Sequence, residues 1–283
     1  MGRKVVFTKT EVRLMNRKKE WFDDENFWGI FAPVMFDETR WAELPLVADG
    51  VTRMARLNLY GQGAAGDLPA EPAALSGPPR LLDLCCGFGR LTLEFAARGF
   101  VCTGVDITTA YLETAREDAA AEQLDIEFVR ADIRDFVRSR SFDLAVSLYI
   151  SFGYFASPLD DRRVLANVYE SLAGGGVLII ETLGKEIAVR DFVRSEWFRR
   201  AGYTVLTEYS PLDSWGALQN HWILIGEDER IEKVFTQRLY AATELRALLL
   251  DTGFSCVEIY GGWDESPYDD RAEKLIVVGR KGL

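Results

Sequence analysis

Between residues 80 and 182 the chain alternates short apolar runs with longer segments of helical periodicity. The apolar runs cover residues 80–85, 100–105, 126–130, 142–148 and 177–182. The amphipathic segments cover about residues 89–98, 109–122 and 160–172. Strands that alternate with helices form parallel sheets with helices on both faces. The pattern therefore predicts an α/β fold with a Rossmann-like, doubly wound, mostly parallel sheet.

After residue 182 the periodicity changes from helical to alternating. The alternating segments are Tyr203–Tyr209, Gln219–Gly226 and Ile231–Tyr240. Alternation with period two, joined by turn-rich pieces, predicts a small antiparallel insert of about three strands after the fifth parallel strand. The amphipathic stretch Ala242–Thr252 and the runs Ser255–Tyr260 and Lys274–Gly279 then complete the main sheet.

The first 60 residues are rich in aromatic side chains. Glu11–Asp24 and Glu38–Tyr60 have helical spacing, interrupted by Pro33 and Pro45. This part either packs against the main domain or forms a lid over the site. The predicted division is a helical lid at 1–60, a Pro- and Gly-rich linker at 61–79, a core at 80–182, the insert at 183–240, and a closing helix and hairpin at 241–283.

A glycine turn follows the first apolar run. Asp83 lies near the end of that run, and Gly87 and Gly89 precede a helical segment. Strand, glycine turn and helix form the first half of a nucleotide-binding βαβ unit. Thr92 occupies the position of the third glycine of the dinucleotide fingerprint, so the fingerprint is incomplete.

Acidic residues end the next two apolar runs as well. Asp106 follows the second run, and Asp132 and Ile133 follow the third. An acid at the end of the second parallel strand can accept hydrogen bonds from both hydroxyls of a ribose. We expect Asp132 to accept from an adenine amino group while Ile133 packs on the ring.

Together these motifs resemble those of class I S-adenosylmethionine-dependent methyltransferases. The motifs are Asp83-x-x-Cys-Gly-x-Gly (83–89), Gly104-Val-Asp-Ile, Ala131-Asp-Ile, Phe142-Asp-Leu and Leu172-Ala-Gly-Gly-Gly-Val. The likeness runs from about Arg80 to the C-terminus and is nearest to the small-molecule type, including sugar-amine N-methyltransferases. Cys85 stands where the family usually has glycine, which narrows the approach to the methionine part of the cofactor.

The resemblance implies S-adenosylmethionine as cofactor and a set of residues that hold it. Asp83 would engage the methionine amino group, and Ile107 would flank the adenine. Residues 147–149 would face the reacting methyl group. The expected cofactor-binding residues are Asp83, Cys85, Gly87, Gly89, Asp106, Ile107, Asp132, Ile133, Ser147, Leu148 and Tyr149.

Two arginines near the site receive separate interpretations. Arg90 directly follows the glycine turn and is interpreted as a surface or ion-pair residue. Arg40, in the N-terminal segment, is a candidate partner for the cofactor carboxylate.

Methyl transfer is an in-line displacement that needs alignment and at most one base. Tyr154, Glu181 and His221 are the candidate catalytic residues, and Tyr240 is a further candidate base. Tyr154 is also a candidate wall of the acceptor pocket, together with Tyr149 and Phe152. Glu181 has the alternative of an ion pair, and His221 that of a sheet surface. An amine acceptor can lose its proton to water, so a base is not required.

Composition excludes several classes of protein. A net charge of −11 provides no basic stripe for nucleic acid. The four cysteines lack metal spacing, and there is one histidine, so no metal site is expected. Neither a signal-peptide core nor a membrane-length apolar run occurs. We therefore expect a cytoplasmic enzyme, monomeric or homodimeric, acting on a small-molecule acceptor.

Two other functions are compatible with parts of the sequence. A nicotinamide-dependent oxidoreductase would need the missing third glycine and leaves Asp83 and Asp132 unexplained. A non-catalytic protein that binds S-adenosylmethionine, or an interaction protein, is supported only by Cys85. Within the methyltransferase prediction, the choice between nitrogen and oxygen as acceptor atom stays open.

Overall fold

The computed structural model describes residues 19–36, 41–56 and 77–283. In that part of the chain two sheets are flanked by helices. The helices are α1 Glu25–Met35, α2 Leu44–Ala55, α3 Arg90–Ala97, α4 Thr109–Ala121, α5 Pro158–Ser171, α6 Lys185–Arg190 and α7 Ala242–Thr252. The strands are β1 Arg80–Leu84, β2 Val101–Asp106, β3 Glu127–Arg130, β4 Phe142–Ser147, β5 Leu172–Thr182, β6 Ser195–Arg200, β7 Tyr203–Leu212, β8 Ala217–Ile225, β9 Arg230–Arg238, β10 Cys256–Tyr260 and β11 Leu275–Arg280.

The larger sheet has the strand order β10-β11-β5-β4-β1-β2-β3. Strands β1 to β5 are mutually parallel, whereas β11 runs antiparallel to both β5 and β10. The predicted Rossmann-like sheet and its closing hairpin are therefore confirmed. Because β2 and β4 lie on opposite sides of β1, the strand order reverses there, and open α/β sheets bind ligands at such a switch point.

Both faces of the large sheet are covered by helices. Leu81 packs in a cluster with α2 and α3, while its neighbour Leu82 packs in a cluster with α5 and α7. Both side chains are fully buried. Burial on both faces explains why β1 reads as a continuous apolar run rather than an alternating one.

The smaller sheet is antiparallel, with the order β6-β7-β8-β9. The sequence predicted three of these strands and missed β6, Ser195–Arg200. That edge strand is exposed at five of its six positions, so its side chains show no apolar alternation. Helix α1 packs Phe27 and Phe31 against Val205 and Phe235 of this sheet.

The N-terminal part differs from the sequence prediction. Helix α1 begins after Asp24, whose side chain accepts a hydrogen bond from Asn26 N, and Pro33 lies inside it. Residues 21–23 form a short 3₁₀ turn, not the end of a helix over Glu11–Asp24. A capping carboxylate at position 24 therefore starts a helix where the spacing predicted an end. Arg40, most of the linker and the first 18 residues lie outside the described residues.

Strand β5 begins five residues earlier than predicted. Helix α5 ends at Ser171, and Leu172 already pairs with Phe142 of β4. The glycine run that was expected to separate helix from strand lies within the strand, with Gly175 at φ 76°.

Candidate active site

The glycine turn after β1 has three residues in the left-handed region. Cys85, Gly87 and Gly89 have φ values of 57°, 56° and 71°. At Gly89 an added Cβ would lie 2.9 Å from Phe128, so only glycine fits there without displacement. Cys85 adopts a backbone conformation that favours glycine, which explains why related proteins usually have glycine at this position. In this chain the Cβ of Cys85 makes that conformation strained.

Asp106 is the link between this turn and β2. Its Oδ2 accepts a hydrogen bond from Gly87 N at 2.9 Å, and its Oδ1 accepts from Thr108 N at 2.8 Å. The residue is buried at the carboxyl edge of the sheet, and burial raises the pKa of its carboxyl. Each carboxylate oxygen can accept a further hydrogen bond.

Asp83 lies beside Asp106 and is hydrogen-bonded to Thr92, the residue at the position of the third glycine of the dinucleotide fingerprint. Thr92 Oγ1 donates to Asp83 Oδ2 at 2.6 Å. Burial, with a smaller contribution from the Asp106 charge, raises the pKa of Asp83 to about 7. Thr92 therefore has a role of its own in this site, as a hydrogen-bond donor to the first acid.

Asp132 is buried near the end of β3, but its carboxylate already has a cationic partner. Arg134 Nη2 lies 2.8 Å from Asp132 Oδ2, and Arg134 Nε lies 3.1 Å from both oxygens. The same guanidinium reaches Glu20 Oε1 at 2.6 Å. The adenine role of Asp132 stays a prediction, and the structure adds a competing partner two residues along the chain.

The turn after β4 contains two adjacent non-glycine residues in the left-handed region. Tyr149 and Ile150 have φ values of 54° and 64°. Tyr149 N donates to Glu181 Oε2 at 2.6 Å, and Ile150 N donates to the Glu181 carbonyl at 3.3 Å. A β-branched residue in this region is strained and persists only where its surroundings fix it. Glu181 thus holds the turn. Its Oε1 also lies 3.8 Å from Lys274 Nζ, whereas Lys185, the nearest lysine in the sequence, binds Glu244.

One cavity of about 560 Å³ lies at the carboxyl edge of the large sheet. The predicted residues that line it are Asp83, Cys85, Gly87, Asp106, Ile107, Asp132, Ile133, Leu148, Tyr149 and Tyr154. Four other predicted residues, Gly89, Ser147, Glu181 and His221, are not among its lining side chains. Ser147 is buried at the end of β4.

His221 lies on the outward face of β8. Its Nδ1 is 2.9 Å from Glu208 Oε2 and its Nε2 is 2.6 Å from Glu232 Oε1. Its neighbours Asn220 and Trp222 line the cavity. Successive side chains of a strand point to opposite faces. The alternative of a sheet-surface histidine, weighed from the sequence, describes this placement.

Arg90 is a cavity residue that the sequence interpretation placed wrongly. It is 7% exposed and lines the cavity at the start of α3. Its guanidinium carbon lies 4.9 Å from the ring centroids of both Phe36 and Trp41. The many aromatic residues among the first 41 are recognisable in the sequence, but the sequence does not show that two of them pack over Arg90.

The insert contributes a further set of cavity residues that the sequence did not single out. They come from β7, β8 and β9 and are Tyr209, Leu218, Asn220, Trp222, Phe235 and Gln237. Alternation in the sequence identified these strands but did not indicate which face meets the cavity.

Known proteins resemble this chain in sequence and in structure. Residues 81–176 match a family model described as "Methyltransferase domain". A methyltransferase of Geobacillus sp. (strain WCH70) is 25% identical over 213 residues, 72% of this chain and 85% of the relative. The dTDP-3-amino-3,4,6-trideoxy-alpha-D-glucopyranose N,N-dimethyltransferase of Streptomyces venezuelae is 28% identical over 191 residues, 63% of this chain and 73% of the relative. The sugar N-methyltransferase KedS8 from Streptoalloteichus sp. has a similar structure, with a TM-score of 0.64, 18% identity and coverage of 100% of both chains.

The family model, the relatives and the structural neighbours together support a class I S-adenosylmethionine-dependent methyltransferase. Its cofactor is S-adenosylmethionine. Among the residues described, no helix is long and apolar enough to cross a bilayer. Within the same ranges, no group of three or more histidine, cysteine and acidic side chains is placed to hold a metal ion.

Removal of the Glu181 carboxylate should destabilise the protein. In E181L the Tyr149 amide loses its acceptor, and an unsatisfied buried amide costs about 1–3 kcal/mol. E181Q keeps a carbonyl oxygen at this position and should retain most of the stability. Urea denaturation measures both variants. The exposed Glu273 provides the control E273L, and an E181L protein as stable as this control would contradict the role of Glu181.

His221 should contribute to stability but not to cofactor binding. Hydrogen bonds from the His221 ring to the carboxylates of Glu208 and Glu232 raise the pKa of His221 in the folded protein, and Glu208 contributes more than Glu232. Its stabilisation is therefore fully present below the unfolded pKa of about 6.5 and is lost as pH rises through the folded value. H221Q should flatten this part of the stability profile, measured by urea denaturation from pH 5 to 9. Weaker binding of S-adenosylhomocysteine to H221Q would contradict its placement outside the site.

Proposed function

We propose that this methyltransferase transfers the methyl group to an amine nitrogen of a small-molecule acceptor. The acceptor would bind between the turn after β4 and the inner face of the smaller sheet. The observation that carries the proposal is the composition of the cavity. Three of its acids, Asp83, Asp106 and Asp132, lie at the edge of the large sheet, and the fourth, Asp191, follows α6. Neither Glu181 nor His221 lines the cavity.

The residues at the sheet edge suit the cofactor in size and chemistry. We assign the ribose hydroxyls to Asp106, whose carboxylate is already held in place by Gly87 and Thr108. Ile107 and Ile133 offer apolar contacts for the adenine. When bound, S-adenosylmethionine supplies an electrophilic methyl group on a sulfonium.

The methionine end of the cofactor carries both an ammonium and a carboxylate. We assign the ammonium to Asp83 and the carboxylate to Arg90. Asp83 holds its carboxyl in the cavity through Thr92, and the rings of Phe36 and Trp41 enclose the Arg90 guanidinium. An acid and a guanidinium in one cavity complement a zwitterion.

The position of the candidate bases favours an amine over a hydroxyl as acceptor. A hydroxyl must lose a strongly held proton during attack, which calls for a base in contact with it. Among the described residues, Tyr154 is the one candidate base that lines the cavity. An amine needs only alignment and its free lone pair, because water can take the proton beforehand. Tyr149 and Tyr154 would provide the alignment and exclude water.

The named relatives support a nitrogen acceptor. Both the Streptomyces venezuelae enzyme and KedS8 are N-methyltransferases of sugars by name. We further propose that the N-terminal segment covers the acceptor, since Trp28, Met35 and Phe36 line the same cavity.

Substitution of Asp106 should weaken cofactor binding. D106N removes the negative charge of the carboxylate that would accept hydrogen bonds from the ribose hydroxyls. A hydrogen bond to a charged group contributes about 1.5–3 kcal/mol, or about 10- to 100-fold in affinity. Isothermal titration with S-adenosylhomocysteine measures the change. Asp125, which is exposed, provides the matched control D125N. A folded D106N protein with wild-type affinity would contradict the assignment.

A further inference from the structure

We infer that the inner face of β7, β8 and β9 recognises an uncharged, polyhydroxylated ring that carries the acceptor amine, with Gln237 as the main specificity residue. This inference rests on the proposed function and adds to it the chemical class of the acceptor. The cofactor assignments do not depend on this inference, because β7, β8 and β9 lie apart from the acids at the edge of the large sheet.

The two faces of the smaller sheet differ in charge. On the outer face, Glu208, His221 and Glu232 form a charged row across the three strands. On the inner face, Asn220 lies opposite both Tyr209 and Phe235 in the antiparallel register. The six inner side chains that line the cavity are therefore neutral, with amides and aromatic rings side by side.

Two of these inner side chains have buried nitrogen atoms without a partner. Gln237 is 6% exposed, and its Nε2 has no hydrogen-bond partner among the described residues. The same holds for Trp222 Nε1. A buried polar group without a partner is unfavourable, and in native proteins such a group calls for an explanation. Both residues line the cavity, and we infer that their side chains turn these nitrogens toward a polar ligand bound there.

Asn220 adds a third polar group in a fixed orientation. Its Nδ2 donates to the Leu218 carbonyl at 3.1 Å, which holds the amide on the cavity side of β8. The neighbouring rings of Trp222 and Phe235 provide flat apolar surface. Amide groups match hydroxyls, and aromatic faces match the C–H surface of a saturated ring.

Two charged side chains, Arg200 and Asp191, also line the cavity, and both have partners within the protein. Arg200, from the edge strand β6, donates to the Val34 carbonyl at 3.0 Å. Asp191 pairs with Arg190 at 2.6 Å. The cavity-lining side chains of β7, β8 and β9 themselves carry no charge, which favours a neutral ring over an amino acid on this wall.

The test compares three panels of amines as acceptors for the full-length protein saturated with S-adenosylmethionine. The panels are monosaccharides with one hydroxyl replaced by an amine, cyclohexylamines without hydroxyls, and α-amino acids. Release of S-adenosylhomocysteine gives kcat and KM, and titration into the S-adenosylhomocysteine complex gives the dissociation constant of each amine. We expect an amino sugar to exceed the best member of the other panels in kcat/KM by about tenfold or more.

Q237L should raise KM for that amino sugar about tenfold, the effect of one lost hydrogen bond, with kcat retained. It should leave KM for the cyclohexylamines unchanged. Gln219, on the outer face of β8, provides the matched control Q219L, which should behave as wild type. Circular dichroism confirms that both variants fold.

Three outcomes overturn the inference: preference for hydroxyl-free amines or amino acids, equal effects of Q237L on all panels, or absence of amino-sugar binding. Methylation of amino sugars with no effect of Q237L would leave the proposed function intact and remove the inference. Binding of amino sugars that depends on Gln237, without transfer to nitrogen, would support the neutral wall and contradict the proposed function.

Discussion

The site depends on one carboxylate that joins two strands. Asp106 accepts hydrogen bonds from Gly87 and from Thr108, so it fixes the glycine turn of β1 against the end of β2. A backbone hydrogen bond from Cys86 N to the Val105 carbonyl, at 3.1 Å, joins the same turn to β2. The Asp106 carboxylate also faces the cavity, so the group that organises the site also presents the charge that a ribose would meet.

A second anchored turn forms the opposite wall. Glu181 holds Tyr149 and Ile150 in the left-handed region, where neither residue would remain by its own preference. The buried Glu181 Oε2, 2.6 Å from Tyr149 N, sustains this strained conformation. The turn places the Tyr149 backbone at the switch point between β1 and β4. Glu181, a candidate base from the sequence, thus fixes this turn, and its role in proton transfer stays a prediction.

The sequence predicted the order and type of most core elements, because buried parallel strands and glycine turns leave local signals. It located Asp83, Asp106 and the turn after β4 for the same reason. It missed the exposed strand β6, which has no apolar pattern, and the burial of Arg90, which depends on aromatic residues distant in the chain. The face of His221 also followed from tertiary contacts alone. Local patterns therefore identified the cavity residues of the large sheet better than those of the smaller sheet.

The most direct measurement of the central claim is a crystal structure of the protein with S-adenosylhomocysteine. The account predicts that both ribose hydroxyls lie within hydrogen-bond distance of the Asp106 carboxylate and that the sulfur faces the wall formed by Tyr149 and Tyr154. A ligand bound outside this cavity, or a ribose remote from Asp106, would contradict it.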